Sequence, residues 1–236
     1  MKSHKLGVCV IGAGRAGLIH AVNFAKGIKN ARLTAIVDPN RETAEKACRE
    51  LELDLYYQDY RQALDDDGVD AVVVVTPTAY HKEIVVAAAD AGKHILCEKP
   101  MAMTVAECDE MIAAAEKNSV GLQIGFMRRF DQSFVYAKDQ VKQGVIGDVV
   151  LVKSLTRGPS IPQRWQYDIA KSNGPLAEVN SHDIDTLRWF TESEFEQVYA
   201  IAGNFRCPEA RDEFPDFYDN VVMTATFLNG MQGSID

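Results

Sequence analysis

Residues 70–77 read DAVVVVTP. Four successive valines, Val72 to Val75, carry no polar alternation, so a strand built from them must be buried on both faces. A sheet covered by helices on each side gives that burial, which points to parallel strands joined by helical crossovers. The flanking sequence supplies the alternation. LGVCVIG (6–12), ARLTAIVD (31–38), HILCE (94–98) and VGLQIGF (120–126) are short, apolar and strand-like. Residues 15–28, 40–51, 79–91 and 104–117 have helical spacing, with Asn40 placed as an N-cap and a small helix near Tyr60–Leu64. The expectation is an α/β fold whose residues 1–125 form a doubly wound parallel sheet.

The pattern changes after about residue 130. A helix near 132–143 ends at Gly144, and DVVLVKSLTR (148–157) reads as a longer strand. An irregular Gly/Pro-rich stretch then runs from Gly158 to Pro175. A helix at 181–191 and strands at 196–205 and 220–230 follow. Strands now succeed strands, so residues 126–236 are expected to form a second, α+β domain with a largely antiparallel open sheet. The final GMQGSID reads as the start of another strand. The chain is therefore expected to be part of something longer, with the end of the second domain missing.

Composition narrows the partners. The formal net charge is −9, which argues against nucleic acid and anionic membrane, since both select basic faces. No apolar run approaches the roughly 20 residues of a membrane span. The N-terminal MKSHKLGVCVIGAGRAG has lysines before an apolar run, but glycines break it, so it reads as a strand entering a turn. The five cysteines are odd in number and lack metal-ligand spacing. They read as reduced thiols of a cytoplasmic protein, with no metal expected.

Gly12-Ala13-Gly14-Arg15-Ala16-Gly17 is a GxGxxG loop between a predicted strand and a predicted helix. Gly12 permits the tight turn, Gly14 lets a pyrophosphate approach the backbone, and Gly17 lets the helix pack on the sheet. The helix N-terminus offers free N–H groups and a positive dipole. The next strand ends at Asp38, 21 residues past Gly17, where a carboxylate accepts from ribose hydroxyls. The plainer alternative is a glycine turn with a helix-capping aspartate. Asp38 favours NAD by repelling a 2′-phosphate, while Arg41 and Arg15 keep NADP open.

Ligands bind beyond the carboxyl ends of parallel strands. That rule gathers Thr76, Pro77, His81, Glu98, Lys99, Pro100 and the segment 125–129, with Met127 and Arg128, at one edge. A lysine at the mouth of a closed cleft loses solvation and exchanges a proton near neutral pH; the alternative is an exposed Lys99 paired with Glu98. Downstream, Glu178-Val179-Asn180-Ser181-His182-Asp183 opens a helix. If that helix starts early, Glu178 and His182 share a face at i, i+4 and the carboxylate orients the imidazole. The alternative is a capping histidine with a solvated carboxylate. Arg164, Trp165 and Tyr167 are candidates for substrate selection.

The glycine loop, Asp38, Thr76-Pro77 with His81, Glu98-Lys99-Pro100 and His182-Asp183-Ile184-Asp185 together resemble the Gfo/Idh/MocA oxidoreductase family. The likeness is strongest to its inositol 2-dehydrogenase branch and is carried further by Gly125-Phe126-Met127-Arg128-Arg129. It implies an NAD- or NADP-dependent enzyme that oxidises a secondary alcohol of a cyclitol or sugar. It also implies Lys99 as active-site lysine, His182 as acid/base, and a homodimer or homotetramer formed through the second domain's sheet. Substrate contacts are expected from Lys99, Arg128, Trp165, Asn180 and His182. Where the family has aspartate four residues and glycine two residues before the histidine, this chain has Glu178 and Asn180. Two alternatives remain: a non-catalytic NAD-binding sensor or co-regulator, and an NAD-dependent glycosidase.

Overall fold

The computed structural model describes residues 5–158 and 161–236. The valine run forms β4 (Ala71–Val74), and its valines alternate between two cores. Val72 and Val74 pack on one face with Cys9, Ile11, Ile84, Val85 and Met111. Val73 packs on the other with Val8, Val10, Ala21, Ala47 and Cys48. Both faces are therefore apolar, as a continuous valine run requires. Burying each valine contributes about 1.5–3 kcal/mol of transfer free energy.

The chain folds as two units, Met1–Gly125 and Phe126–Asp236. In the first, β1 (Leu6–Ile11), β2 (Ala31–Val37), β3 (Tyr56–Tyr57), β4, β5 (His94–Cys97) and β6 (Leu122–Ile124) form one sheet in the order β3-β2-β1-β4-β5-β6. Every pairing is parallel. This is the Rossmann order, with its switch point between β1 and β4. The helices are α1 (Arg15–Lys26), α2 (Arg41–Leu51), α3 (Tyr60–Leu64), α4 (His81–Asp90) and α5 (Val105–Lys117). Asn40 caps α2 by accepting from the Thr43 N–H at 3.1 Å. Thr104 and Glu107 form a reciprocal capping box on α5.

In the second unit, β7 (Leu151–Ser154), β8 (Phe195–Gly203), β9 (Asn220–Phe227) and β10 (Gln232–Ile235) form a sheet in the order β7-β10-β9-β8. β8–β9 and β9–β10 are antiparallel, and β10–β7 is parallel. The helices are α6 (Gln132–Lys142), α7 (Arg164–Tyr167), α8 (Ile169–Ser172), α9 (Gly174–Glu178) and α10 (Ser181–Thr191). Leu187 of α10 packs on Met223, Phe227 and Ile235. The strand expected over 148–157 is confined to Leu151–Ser154. The stretch expected to be irregular holds three short helices, α7, α8 and the start of α9; within it, Pro159 and Ser160 lie outside the described residues.

Candidate active site

The glycine loop follows β1 at the switch point. Gly12 has φ +105°, and a Cβ there would lie 2.5 Å from the Val75 carbonyl oxygen. A Cβ on Gly17 would lie 1.8 Å from the Gly12 carbonyl oxygen, so the turn closes on itself only with glycine. At Gly14 a Cβ would meet nothing within 4 Å, which leaves open space in front of the loop. No side chain caps α1, and its first turn holds no acid. Its positive end is thus left for an anionic ligand.

Asp38 braces this loop. Its Oδ2 accepts from the Ala13 N–H at 3.0 Å and its Oδ1 from the Asn40 N–H at 2.9 Å. A carboxylate has about four acceptor sites, so lone pairs remain for ribose hydroxyls. The cap of α2 is Asn40, so Asp38 is no mere helix cap. Beyond β4, the Thr76 hydroxyl is buried with no hydrogen-bond partner among the described residues. Buried hydroxyls are rarely left so, and this one is well matched to a ligand at the strand end. Open space, an uncapped helix, a spare carboxylate and an orphaned hydroxyl together fit a dinucleotide. Arg15 is exposed. Arg41 pairs with Glu45 one helical turn away at 2.7 Å and so is turned along its own helix.

Lys99 follows β5, half-buried, and the Lys99–Pro100 bond is cis. Glu98 accepts the Lys99 N–H at 3.1 Å. His81 is 1% exposed, with Nδ1 2.9 Å from the Pro100 carbonyl oxygen and Nε2 2.9 Å from that of Thr76. Burial pushes its pKa below the ordinary value, against the opposing pull of those carbonyls. A neutral imidazole has one N–H and donates to one of these carbonyls, so the buried ring sits between the turns after β4 and β5 and joins them.

In the second unit His182 is the second residue of α10, half-buried, with its ring edge-on to Phe126 at 6.4 Å between centroids. Glu178 ends α9, and the chain turns at Val179 before α10 begins. The two residues therefore do not share a helix, contrary to the i, i+4 expectation. Asn180 is 4% exposed and donates one amide N–H to Asp183 Oδ2 at 2.8 Å, so its side chain is engaged with the first turn of α10. Arg128 is likewise turned inward. Its Nη1 lies 2.6 Å from Asp183 Oδ1, and its Nη2 donates to the Thr156 hydroxyl at 2.6 Å. Met127 is exposed in the 3-10 turn Met127–Phe130. Trp165 is half-buried and donates to Gln163 at 2.9 Å. Tyr167 is buried against Phe217 and donates to Glu209 at 2.8 Å, which removes it from substrate selection, and Arg164 pairs with Glu213.

Two features were missed from sequence. Asp183 sits fully buried beside His182 and gathers Arg128, Ser154, Thr156 and Asn180. His20, in the second turn of α1, meets Glu98 at 2.9 Å. The partners stand 55 and 78 positions apart, so no local pattern announces either pair. A buried acid in the first turn of a helix was the one available signal.

Residues 6–126 match the oxidoreductase family described as NAD-binding Rossmann fold, and residues 134–236 match the GFO/IDH/MocA C-terminal domain. The chain is similar to myo-inositol 2-dehydrogenase of Thermotoga maritima, with 37% identity over 96% of this chain and 66% of that protein. It is 31% identical to scyllo-inositol 2-dehydrogenase (NAD(+)) of Bacillus subtilis, over 99% of this chain and 67% of that one. The chain thus spans about two thirds of the length of these relatives. Among solved structures it resembles scyllo-inositol dehydrogenase of Lactobacillus casei with bound NAD(H) and scyllo-inositol. There the TM-score is 0.86 and the identity 29%, over 98% of this chain and 68% of that one. The first unit is accordingly an NAD-binding Rossmann domain, and the chain belongs to the Gfo/Idh/MocA oxidoreductase family.

Proposed function

We propose that the protein is an NAD-dependent dehydrogenase oxidising a secondary alcohol of a cyclitol or related sugar. The observation that carries this reading is Lys99, which leaves the carboxyl end of β5 at the edge where the glycine loop and Thr76 also lie. A bound nicotinamide supplies the hydride acceptor. Lys99 then donates a hydrogen bond to the substrate oxygen and offsets alkoxide charge, and His182 takes the hydroxyl proton. Glu178 is the carboxylate assigned to the imidazole. Met127 is assigned to the cofactor and Trp165 to the substrate.

NAD is favoured over NADP because Asp38 would face a 2′-phosphate with like charge while Arg41 is held by Glu45. The inositol dehydrogenases among the relatives support a cyclitol substrate. Val198, Tyr199 and Ile201 of β8 are each more than 60% exposed, which supports a homodimer or homotetramer formed through that sheet. The five cysteines are unpaired, which supports a reducing, cytoplasmic compartment.

The test is a panel of inositols, aldoses and sugar acids incubated with NAD or NADP, read by NADH or NADPH absorbance. NADH formation from an inositol is the expected result. NADH binding without turnover of any polyol would contradict the reading, and sugar cleavage without net NADH release would replace it with a glycosidase.

A further inference from the structure

His20 and Glu98 belong to different strand–helix units of the Rossmann domain. His20 lies on α1, the helix that opens on the glycine loop, and Glu98 follows β5 immediately before Lys99. Their side chains are 22% and 24% exposed and meet at 2.9 Å between His20 Nε2 and Glu98 Oε1. The second carboxylate oxygen, Oε2, accepts the Lys99 main-chain N–H at 3.1 Å. Burial opposes the charge on Glu98, but the bonds from His20 and the Lys99 N–H outweigh it and hold the carboxyl below its usual range. An ionised carboxylate only accepts, so His20 Nε2 carries the proton.

Gly125, after β6, completes the seat. A Cβ there would come 3.1 Å from both Glu98 Cδ and Oε2. Contacts that short are tighter than ordinary packing, so a side chain at 125 would press on the carboxylate that the two donors hold. Three segments thus converge on one carboxylate: the cofactor-loop helix, the lysine turn and the end of β6.

We propose that His20 is a positioning residue for Lys99, acting through Glu98. The lysine side chain is a flexible four-carbon stem. The fold therefore narrows its positions chiefly by fixing the main chain from which it springs. Glu98 grips that main chain at the N–H, and His20 fixes Glu98 to the helix whose N-terminus faces the cofactor phosphates. The lysine and the cofactor are thereby registered to one frame. The inference rests on the dehydrogenase reading of Lys99.

The experiment uses His20→Leu and His20→Gln in the full-length protein. Leucine removes the donor, and glutamine returns an amide N–H near the Nε2 position. Three quantities are read: hydrogen exchange of the segment holding the Lys99 amide, NADH affinity by fluorescence, and kcat with KM for the best polyol of the panel. His20→Leu should exchange faster at that segment and lose about tenfold or more in kcat, because small misplacements of a reacting group carry costs of that size. NADH affinity should hold, and His20→Gln should recover most of the loss. Gly125→Ala, which crowds the carboxylate and leaves His20 in place, should reproduce the kcat-selective loss and serves if His20→Leu does not fold.

Unchanged exchange and kcat in His20→Leu would overturn the proposal. So would a loss that falls equally on NADH binding, or one that glutamine does not relieve. A wild-type protein that turns over no polyol would instead contradict the dehydrogenase reading, and the exchange measurement would still decide whether His20 holds the Lys99 backbone.

Discussion

Arg128 and Asp183 form a buried ion pair, with Nη1 2.6 Å from Oδ1, one residue past His182. Asp183 is fully buried and the Arg128 side chain 14% exposed. Burial opposes ionisation of Asp183, but hydrogen bonds from Ser154, Arg128, Asn180 and Thr156 outweigh it and lower its pKa. The pair ties the first turn of α10, which carries His182, to β7 and to the Met127–Phe130 turn.

Removing the guanidinium leaves a buried carboxylate uncompensated. Arg128→Met should lower unfolding free energy by about 3–5 kcal/mol, measured by urea denaturation. The double variant Arg128→Met/Asp183→Leu should lose less than the single one, because it buries no lone charge. Equal losses in the two proteins would refute the pair as the cause.

The glycine loop separates packing from ligand access. Gly17→Ala should fail to fold or melt far earlier, since its Cβ would meet the Gly12 carbonyl oxygen at 1.8 Å. Gly14→Ala, with nothing within 4 Å of its Cβ, should keep the wild-type melting temperature and lose NADH affinity by about tenfold or more, because the backbone must closely approach the pyrophosphate. Fluorescence titration beside a thermal melt reads both.

His81 gives a pH signature. Its folded-state pKa is depressed, chiefly by burial. The unfolded chain takes up a proton at this site below about 6.5 that the folded chain resists. Stability from this group is thus fully present above that value and declines as pH falls toward the folded-state pKa. Urea midpoints of the wild type should drop between about pH 7.5 and 5.5, a window set by the unfolded histidine value. His81→Gln, less stable overall, should show a shallower drop; parallel curves would contradict this.

The Rossmann unit was largely legible because its physics is local. Val72–Val74 had to be buried on both faces, Asn40 and Thr104 announced their helices, and the glycine loop sat between strand and helix. The second unit was harder. The helices α7 and α8 have four residues each and show no apolar period; Asp168 caps α8, and Tyr167 packs on Phe217 from far along the chain. β7 is shorter than the expected strand, with Leu151–Ser154 laddered to Gln232–Ile235 of β10. The site residues beyond the strand ends were named from their places, but His81 and Arg128 proved to be occupied by neighbours 19 and 55 positions away. Such pairs are fixed by tertiary geometry, which no window of sequence displays.

The central claim is that Lys99 meets the substrate oxygen while the Rossmann unit holds NAD independently of it. Lys99→Met, assayed for NADH formation on the best polyol and for NADH binding by fluorescence, tests it directly. The account predicts a loss in kcat of roughly 100- to 10,000-fold, the usual worth of a positioned proton-transfer or charge-stabilising group, with NADH affinity retained. Near wild-type turnover in Lys99→Met would contradict it.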